Sequence, residues 1–279
     1  MEGKRKAELV KKCRRIRYLT MDEIGKLGVG HVGGCLSAID ALVVLYYNHM
    51  RIDPQNPRMS NRDRFVLSKG HAGPALYAIL ADKGFFPLSW LDTLNRGGTR
   101  LPSHADMNQT PGVDMTTGSL GQGFSCAVGM AIGSKRRKDN AFIYTMIGDG
   151  ETDEGIIWEA AMLAGNQKLG NLIAFTDYNK MQLDGETRVI NDLEPLSDKW
   201  RAFGWETEEV DGHDVEAIDA AICRAKQQLQ RPSMIILHTI KGKGVSFIEE
   251  MWRNNHNITL SPEQHKKTLE ELREVTLDV

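Results

Sequence analysis

The sequence predicts an α/β fold, a doubly wound and mostly parallel sheet flanked by helices. Two observations carry this reading. Helix-like and short β-rich runs alternate from about Arg64 onward, and each apolar run gives way to polar or glycine-rich residues. Ahead of that alternation, Leu9, Val10, Cys13, Ile16 and Leu19 recur at helical spacing in a basic opening segment, which reads as a helix ending near Leu27. Strands are expected at residues 142–147, 172–176, 205–210 and 234–238, all short and apolar or β-branched, as strands covered on both faces should be. Apolar spacing marks helices at 155–168 and 215–228, and a charged C-terminal helix at 262–272. The 279 residues suit a single domain, 1–279, with a helical arm from about 260 to 279.

Composition narrows the function classes. With 41% hydrophobic and 26% charged residues the chain is neither disordered nor fibrous, and a net charge of −2 gives no reason to expect nucleic acid. No apolar run approaches the roughly 20 residues that a bilayer demands, so no membrane is expected; the basic first helix is read as docked on its own domain. Cys13, Cys35, Cys126 and Cys223 form no CxxC pair, which excludes a zinc knuckle and a disulfide framework and fits a reducing cytoplasm.

The chemistry concentrates in two loops. Gly148-Asp149-Gly150 follows one expected strand, and a stretch beginning at Asp177 and containing Asn179 follows the next, so both lie beyond strand carboxyl ends, where open α/β sheets bind ligands. Asp149 offers a carboxylate oxygen, Asn179 a carboxamide oxygen and the turn after it a carbonyl, a hard-oxygen set suited to Mg²⁺ or Ca²⁺. Such a metal would bridge to phosphate, with the amides around Gly150 donating to its oxygens. An isolated GDG would be read as a glycine-rich turn; the asparagine about thirty residues later brings it to the thiamine-diphosphate signature. Gly28 to Gly33 satisfies G-x-G-x-x-G but follows a helix instead of a strand, which removes the dinucleotide reading, and Lys241-Gly-Lys-Gly244 lacks Walker spacing and reads as a mobile loop beside the pocket.

Around these loops lie Gly30-His-Val-Gly-Gly34, Phe65-Val-Leu-Ser-Lys-Gly-His71, Ser103-His104, Thr116-Thr-Gly-Ser-Leu-Gly-Gln-Gly123 and Leu183-Asp-Gly185. In order and spacing, from about residue 10 to about residue 260, the chain resembles the N-terminal, diphosphate-binding domain of transketolases. The resemblance implies thiamine diphosphate as cofactor and Asp149, Asn179 and the Met181 carbonyl as ligands of its metal. It implies that Gly150, His71 and His256 contact the diphosphate, and that Gly118 and Leu120 lie in a loop beside the cofactor. By the same likeness His31 and His104 stand at the substrate channel, and Glu154 is a buried acid coupling two cofactor sites across an interface. Departures are Val32-Gly33 in place of a proline-containing turn, Ser119 in place of proline, Tyr178 after Asp177, and Asn257 where glycine usually follows the histidine.

The resemblance stops before a pyrimidine-binding domain. What it implies is therefore one half of a split transketolase, moving a two-carbon ketol unit from a ketose phosphate to an aldose phosphate. The expected partner is a C-terminal transketolase subunit carrying the pyrimidine-binding domain, in an α2β2 heterotetramer closed by two-fold symmetry. Three alternatives stand beside it: a deoxyxylulose-phosphate-synthase-like enzyme, a 2-oxoacid dehydrogenase α subunit, and a non-catalytic cofactor-binding regulator, since fold does not establish activity.

Overall fold

The computed structural model describes residues 1–183 and 185–274; Asp184 of the Leu183-Asp-Gly185 motif and positions 275–279 of the expected arm lie outside the described residues. The core is a five-stranded sheet of β1 (Arg64–Leu67), β2 (Ile143–Gly148), β3 (Leu172–Tyr178), β4 (Glu206–Asp211) and β5 (Ser233–His238). Its spatial order is β1-β2-β3-β5-β4, and every neighbouring pair is parallel.

Because successive strand side chains point to opposite faces, each strand divides its residues between two cores. Leu67, Tyr144, Met146, Ile173, Phe175, Ile235 and Leu237 meet α1 (Gly3–Leu27), α2 (Val32–Val44), α3 (Gly73–Lys83) and α6 (Val215–Gln227). Val66, Ile143, Ile147, Leu172, Ala174, Met234 and Ile236 meet α4 (Gln122–Arg137) and α5 (Gly155–Asn166) on the other side. Double coverage explains the near-continuous apolar runs of β2 and β3, and each fully buried aliphatic side chain contributes roughly 1.5–3 kcal/mol. The strand β4 differs because it lies at the sheet edge, where Glu206, Glu208 and Glu209 discourage further pairing.

Helix α1 ends where Gly28 turns left-handed at φ 86° and its N–H returns to the Ile24 carbonyl at 2.8 Å. Its apolar face is buried: Leu9, Cys13 and Ile16 pack into the core, with Val10 and Leu19 partly covered. The C-terminal helix α7 (Pro262–Glu274) lies against α1. Among the described residues no helix is long and apolar enough to cross a membrane.

The expected strands appear within two residues of their bounds at either end, and β1 is an addition to them. Four residues are too few to display a period; β1 is recognised by its ladder to β2, prolonged by the Ser68 N–H to the Met146 carbonyl at 2.9 Å.

Register brings Gly148 of β2 opposite Asp177 of β3, and Tyr178 opposite His238 of β5, so the loops leaving three strands share one edge of the sheet. Packing at the opposite edge, where the strands begin, is tight. A Cβ on Gly165 of α5 would fall 1.8 Å from the Phe203 carbonyl oxygen, which is backbone and cannot swing away. Gly165→Ala is expected to lower stability by roughly 2–3 kcal/mol, read as a reduced urea midpoint at unchanged slope.

Candidate cofactor site

The strand-end loops enclose a cavity of about 100 Å³ lined by Gly34, Lys69, His71, Leu120, Asp149, Gly150, Asn179, Met181, Lys241 and His256, among others. Gly150, Asp149 and Asn179 come from the loops after β2 and β3, Lys69 and His71 from the turn after β1, and Lys241 from the loop after β5.

Asp149 is buried, and desolvation, joined by the nearby Asp177 charge, pushes its carboxyl up to about 7. Its Oδ1 accepts the Gly150 N–H at 2.8 Å and its Oδ2 the Lys180 N–H at 2.5 Å. The Asn179 Oδ1 accepts the Met181 N–H at 3.1 Å, so a tight turn brings the Asn179 carboxamide and the Met181 backbone together beside Asp149. Asp177 stands behind this turn without lining the cavity. Burial opposes its charge, but Lys69 beside it and hydrogen bonds from Lys69, Ser37 and Thr239 hold its carboxyl below the usual range.

Lys241 decides what the cavity can hold. Its side chain is buried, its Nζ has no hydrogen-bond partner among the described residues, and burial pushes the ammonium down to about 8. An orphaned buried ammonium calls for an anion, because an unpaired charge away from water is costly. The Asp149 carboxylate, the Asn179 carboxamide and the Met181 backbone supply oxygen donors for Mg²⁺ or Ca²⁺. The residues present therefore fit a metal-bridged diphosphate.

Glu151 ties three motifs into this wall. Its carboxylate accepts from the Ser68 hydroxyl, the Gly121 N–H at 2.8 Å and the Gly148 N–H at 3.0 Å, joining the turn after β1, the start of α4 and the GDG loop. Gly118, at φ 158°, faces His104, whose Cδ2 would lie 3.5 Å from a Cβ there. The backbones of Gly70 and of Thr117-Gly118 approach so closely that a Cβ on Gly70 would sit 2.8 Å from the Thr117 carbonyl carbon.

The four site histidines form one cluster. The His31 ring centroid lies 5.3 Å from that of His71, 5.7 Å from His104 and 5.3 Å from His256, and His71 lies 5.2 Å from His256. Desolvation holds all four below the usual imidazole range. His71 is held well below it, with Lys69 and the other imidazoles adding to burial, and His256 is pushed down to about 4. Near neutral pH these rings are uncharged and can each donate or accept a hydrogen bond. His31 and His71 also line a second cavity of about 170 Å³, bounded by Leu94, Asn95, Ser103 and Asn257. His104 is anchored through Nδ1 to the Ser103 hydroxyl at 3.0 Å.

Glu154 stands apart from these groups. It is exposed at the N-cap of α5, its side chain caps no amide, and its Cβ lies 3.4 Å from where a Cβ on Gly121 would be. Sequence reasoning missed Lys69, Glu151, Asp177 and Lys241. Lys69 lay inside a quoted motif, and Lys241 inside the loop read as mobile; the loop instead turns its first lysine inward, since Gly242 and Gly244, at φ 92° and 93°, reverse the chain behind it.

Comparison with known proteins agrees with this arrangement. Residues 9–272 match the family described as transketolase, thiamine diphosphate binding domain. The chain is 61% identical over 257 residues to the 6-deoxy-6-sulfo-D-fructose transketolase subunit SqwG of Clostridium sp. (strain MSTE9), covering 92% of this chain and 93% of that one. It is 40% identical over 258 residues to an apulose-4-phosphate transketolase subunit of Phocaeicola vulgatus, covering 92% of this chain and 91% of that one. Among solved structures, transketolase from Campylobacter jejuni superposes with a TM-score of 0.86 at 32% identity over 94% of this chain, which spans only 42% of that longer enzyme. Fold, site and relatives together establish that the chain belongs to the transketolase family, as a thiamine-diphosphate-binding domain.

Proposed function

We propose that the chain is the N-terminal subunit of a two-subunit transketolase, a single domain with a C-terminal helical arm, acting in the cytoplasm. The observation that carries this reading is the convergence of Asp149, Asn179 and Met181 on one small cavity with the unpartnered Lys241 ammonium. Asp149, Asn179 and the Met181 carbonyl would hold Mg²⁺. Lys241, His71 and His256 would pair with diphosphate oxygens, while Gly118 and Leu120 would lie beside the cofactor. When bound, thiamine diphosphate supplies the electron sink for breaking a carbon–carbon bond next to a carbonyl.

The neutral histidines do the rest of this chain's work. His31 and His104 hydrogen-bond donor hydroxyls and carry protons at the reacting end, which uncharged imidazoles near pH 7 perform in either direction. The partner subunit contributes the pyrimidine-binding domain, and two copies of each chain form an α2β2 assembly. Exposed Ile156, next to Glu154, and Met162 and Leu163 further along α5 support an interface on this helix, in which Glu154 becomes buried and couples the two cofactor sites. The transketolase subunits named above do not favour the deoxyxylulose-phosphate-synthase, 2-oxoacid-dehydrogenase and regulator readings.

For the sugar, the Clostridium relative directs attention to 6-deoxy-6-sulfofructose as donor, with a ketose phosphate as the competing class. Co-purification with a C-terminal transketolase subunit and a coupled assay over a ketose panel tests this. Two-carbon transfer from one of these ketoses is expected, and a pair inert on every ketose while it binds the cofactor would favour the regulator.

His31→Ala or His104→Ala is expected to lower kcat/KM for the ketose by roughly 10²–10⁴-fold while thiamine diphosphate affinity stays within about twofold. Steady-state kinetics beside calorimetry checks this. A weakened cofactor affinity with unaltered sugar kinetics at saturating cofactor would exchange the two roles.

A further inference from the structure

The Lys241 ammonium is only as well placed as residues 240–244, where two of the five residues are glycines in left-handed conformation. Two side chains from distant parts of the fold hold that loop, one on either side of Lys241. Before it, the exposed Ile240 donates its N–H to His213 Nε2 at 2.8 Å. After it, the Lys243 carbonyl accepts from Arg17 Nε at 3.0 Å, and Arg17 packs so closely under Gly244 that a Cβ there would meet its Cδ at 2.7 Å.

Both anchors converge on one carboxylate. Asp40 Oδ1 accepts from Arg17 Nη1 at 3.0 Å, and Oδ2 accepts from Arg17 Nη2 and from His213 Nδ1 at 2.7 Å. Arg17 is 7% exposed and Asp40 4%, and neither they nor His213 line the cofactor cavity. Burying such a pair is costly and adds little net stability, so a buried ion pair is better explained by the geometry it fixes. The fixed object here is the backbone carrying Lys241. The contacts also dictate the imidazole's state: Nδ1 carries the proton given to Asp40, and Nε2 must offer a lone pair to Ile240.

We infer that Arg17, Asp40 and His213 form a clamp that positions Lys241 toward the cofactor's diphosphate. The inference rests on the proposed function, because it presupposes a diphosphate in the cavity. These are positioning residues, acting on the ligand only through Lys241.

The test uses this chain reconstituted with its partner subunit, with thiamine diphosphate and Mg²⁺ as the probes. His213→Phe keeps the ring volume and removes both nitrogens. Its cofactor Kd is expected to rise roughly threefold to tenfold, the loss of about one hydrogen bond, while kcat at saturating cofactor stays within about twofold. In a Lys241→Gln background the same substitution should change Kd no further. Arg17→Lys, which keeps the charge but loses the fork that reaches both Asp40 and Lys243, should behave alike and serves if His213→Phe does not fold. On the wild-type chain, ¹⁵N NMR should show His213 protonated at Nδ1 and bare at Nε2. A proton on Nε2, an unchanged Kd in folded variants, or full additivity with Lys241→Gln would overturn the clamp. A wild-type pair that binds no thiamine diphosphate would instead remove the proposed function.

Discussion

Asp149→Ala is expected to reduce the affinity of the reconstituted enzyme for thiamine diphosphate and Mg²⁺ by more than roughly a hundredfold, and Asn179→Ala to do nearly the same. Even outer-shell partners of metal ligands cost about 10–100-fold on removal, and these two side chains are proposed as direct ligands. Asp149 is the larger case because it supplies the charge. Neither change should harm the fold. Asp149 is a desolvated carboxylate with Asp177 nearby, and its two partners are amides in the GDG turn and the Asn179 loop instead of core groups. Melting of the cofactor-free chain should therefore stay level or rise, the usual trade between stability and a strained site. Calorimetry of the pair, with thermal melting of each variant, checks both halves; wild-type affinity in either variant would remove the metal assignment.

The isolated chain is expected to show no measurable two-carbon transfer, and the pair to restore it. The cavity around Asp149 and Lys241 is about 100 Å³, room for a metal and part of a diphosphate, and Asn179, Met181 and Lys241 also line a broader cleft of about 900 Å³. We propose that another chain closes this site over the cofactor, with the exposed Ile156, Met162 and Leu163 of α5 offering an interface for it. Light scattering and a coupled transfer assay on the chain, with and without its partner, make the comparison. Robust transfer by this chain alone would refute the split arrangement.

How far the sequence disclosed this depended on where the information lay. The strands β2, β3 and β5 were legible because burial on both faces writes an unbroken apolar run, whereas β1 was too short to print any period. The ligand loops were legible because the strand-end rule fixes where polar clusters must fall relative to a parallel sheet. Lys241 and Glu151 were not, for opposite reasons. A lysine opening a Lys-Gly-Lys-Gly stretch has the composition of a solvated loop, and only the tertiary path, with Asn255 donating to the Lys241 carbonyl at 2.9 Å, turns it inward. Glu151 follows GDG immediately and reads as a first-turn helix acid, while its three partners are spread between residues 68 and 148. The His213–Asp40–Arg17 set is drawn from positions as far apart as 17 and 213, so no local pattern could announce it.

The central claim is that this chain grips the diphosphate through a metal held by Asp149, Asn179 and the Met181 carbonyl. Pulsed ³¹P electron–nuclear double resonance on the pair, loaded with thiamine diphosphate and Mn²⁺ in place of Mg²⁺, tests it most directly. A resolved coupling between the manganese and the cofactor's phosphorus, lost in Asn179→Ala, is the expected result. Manganese bound at this site with thiamine diphosphate present and no phosphorus coupling would contradict it.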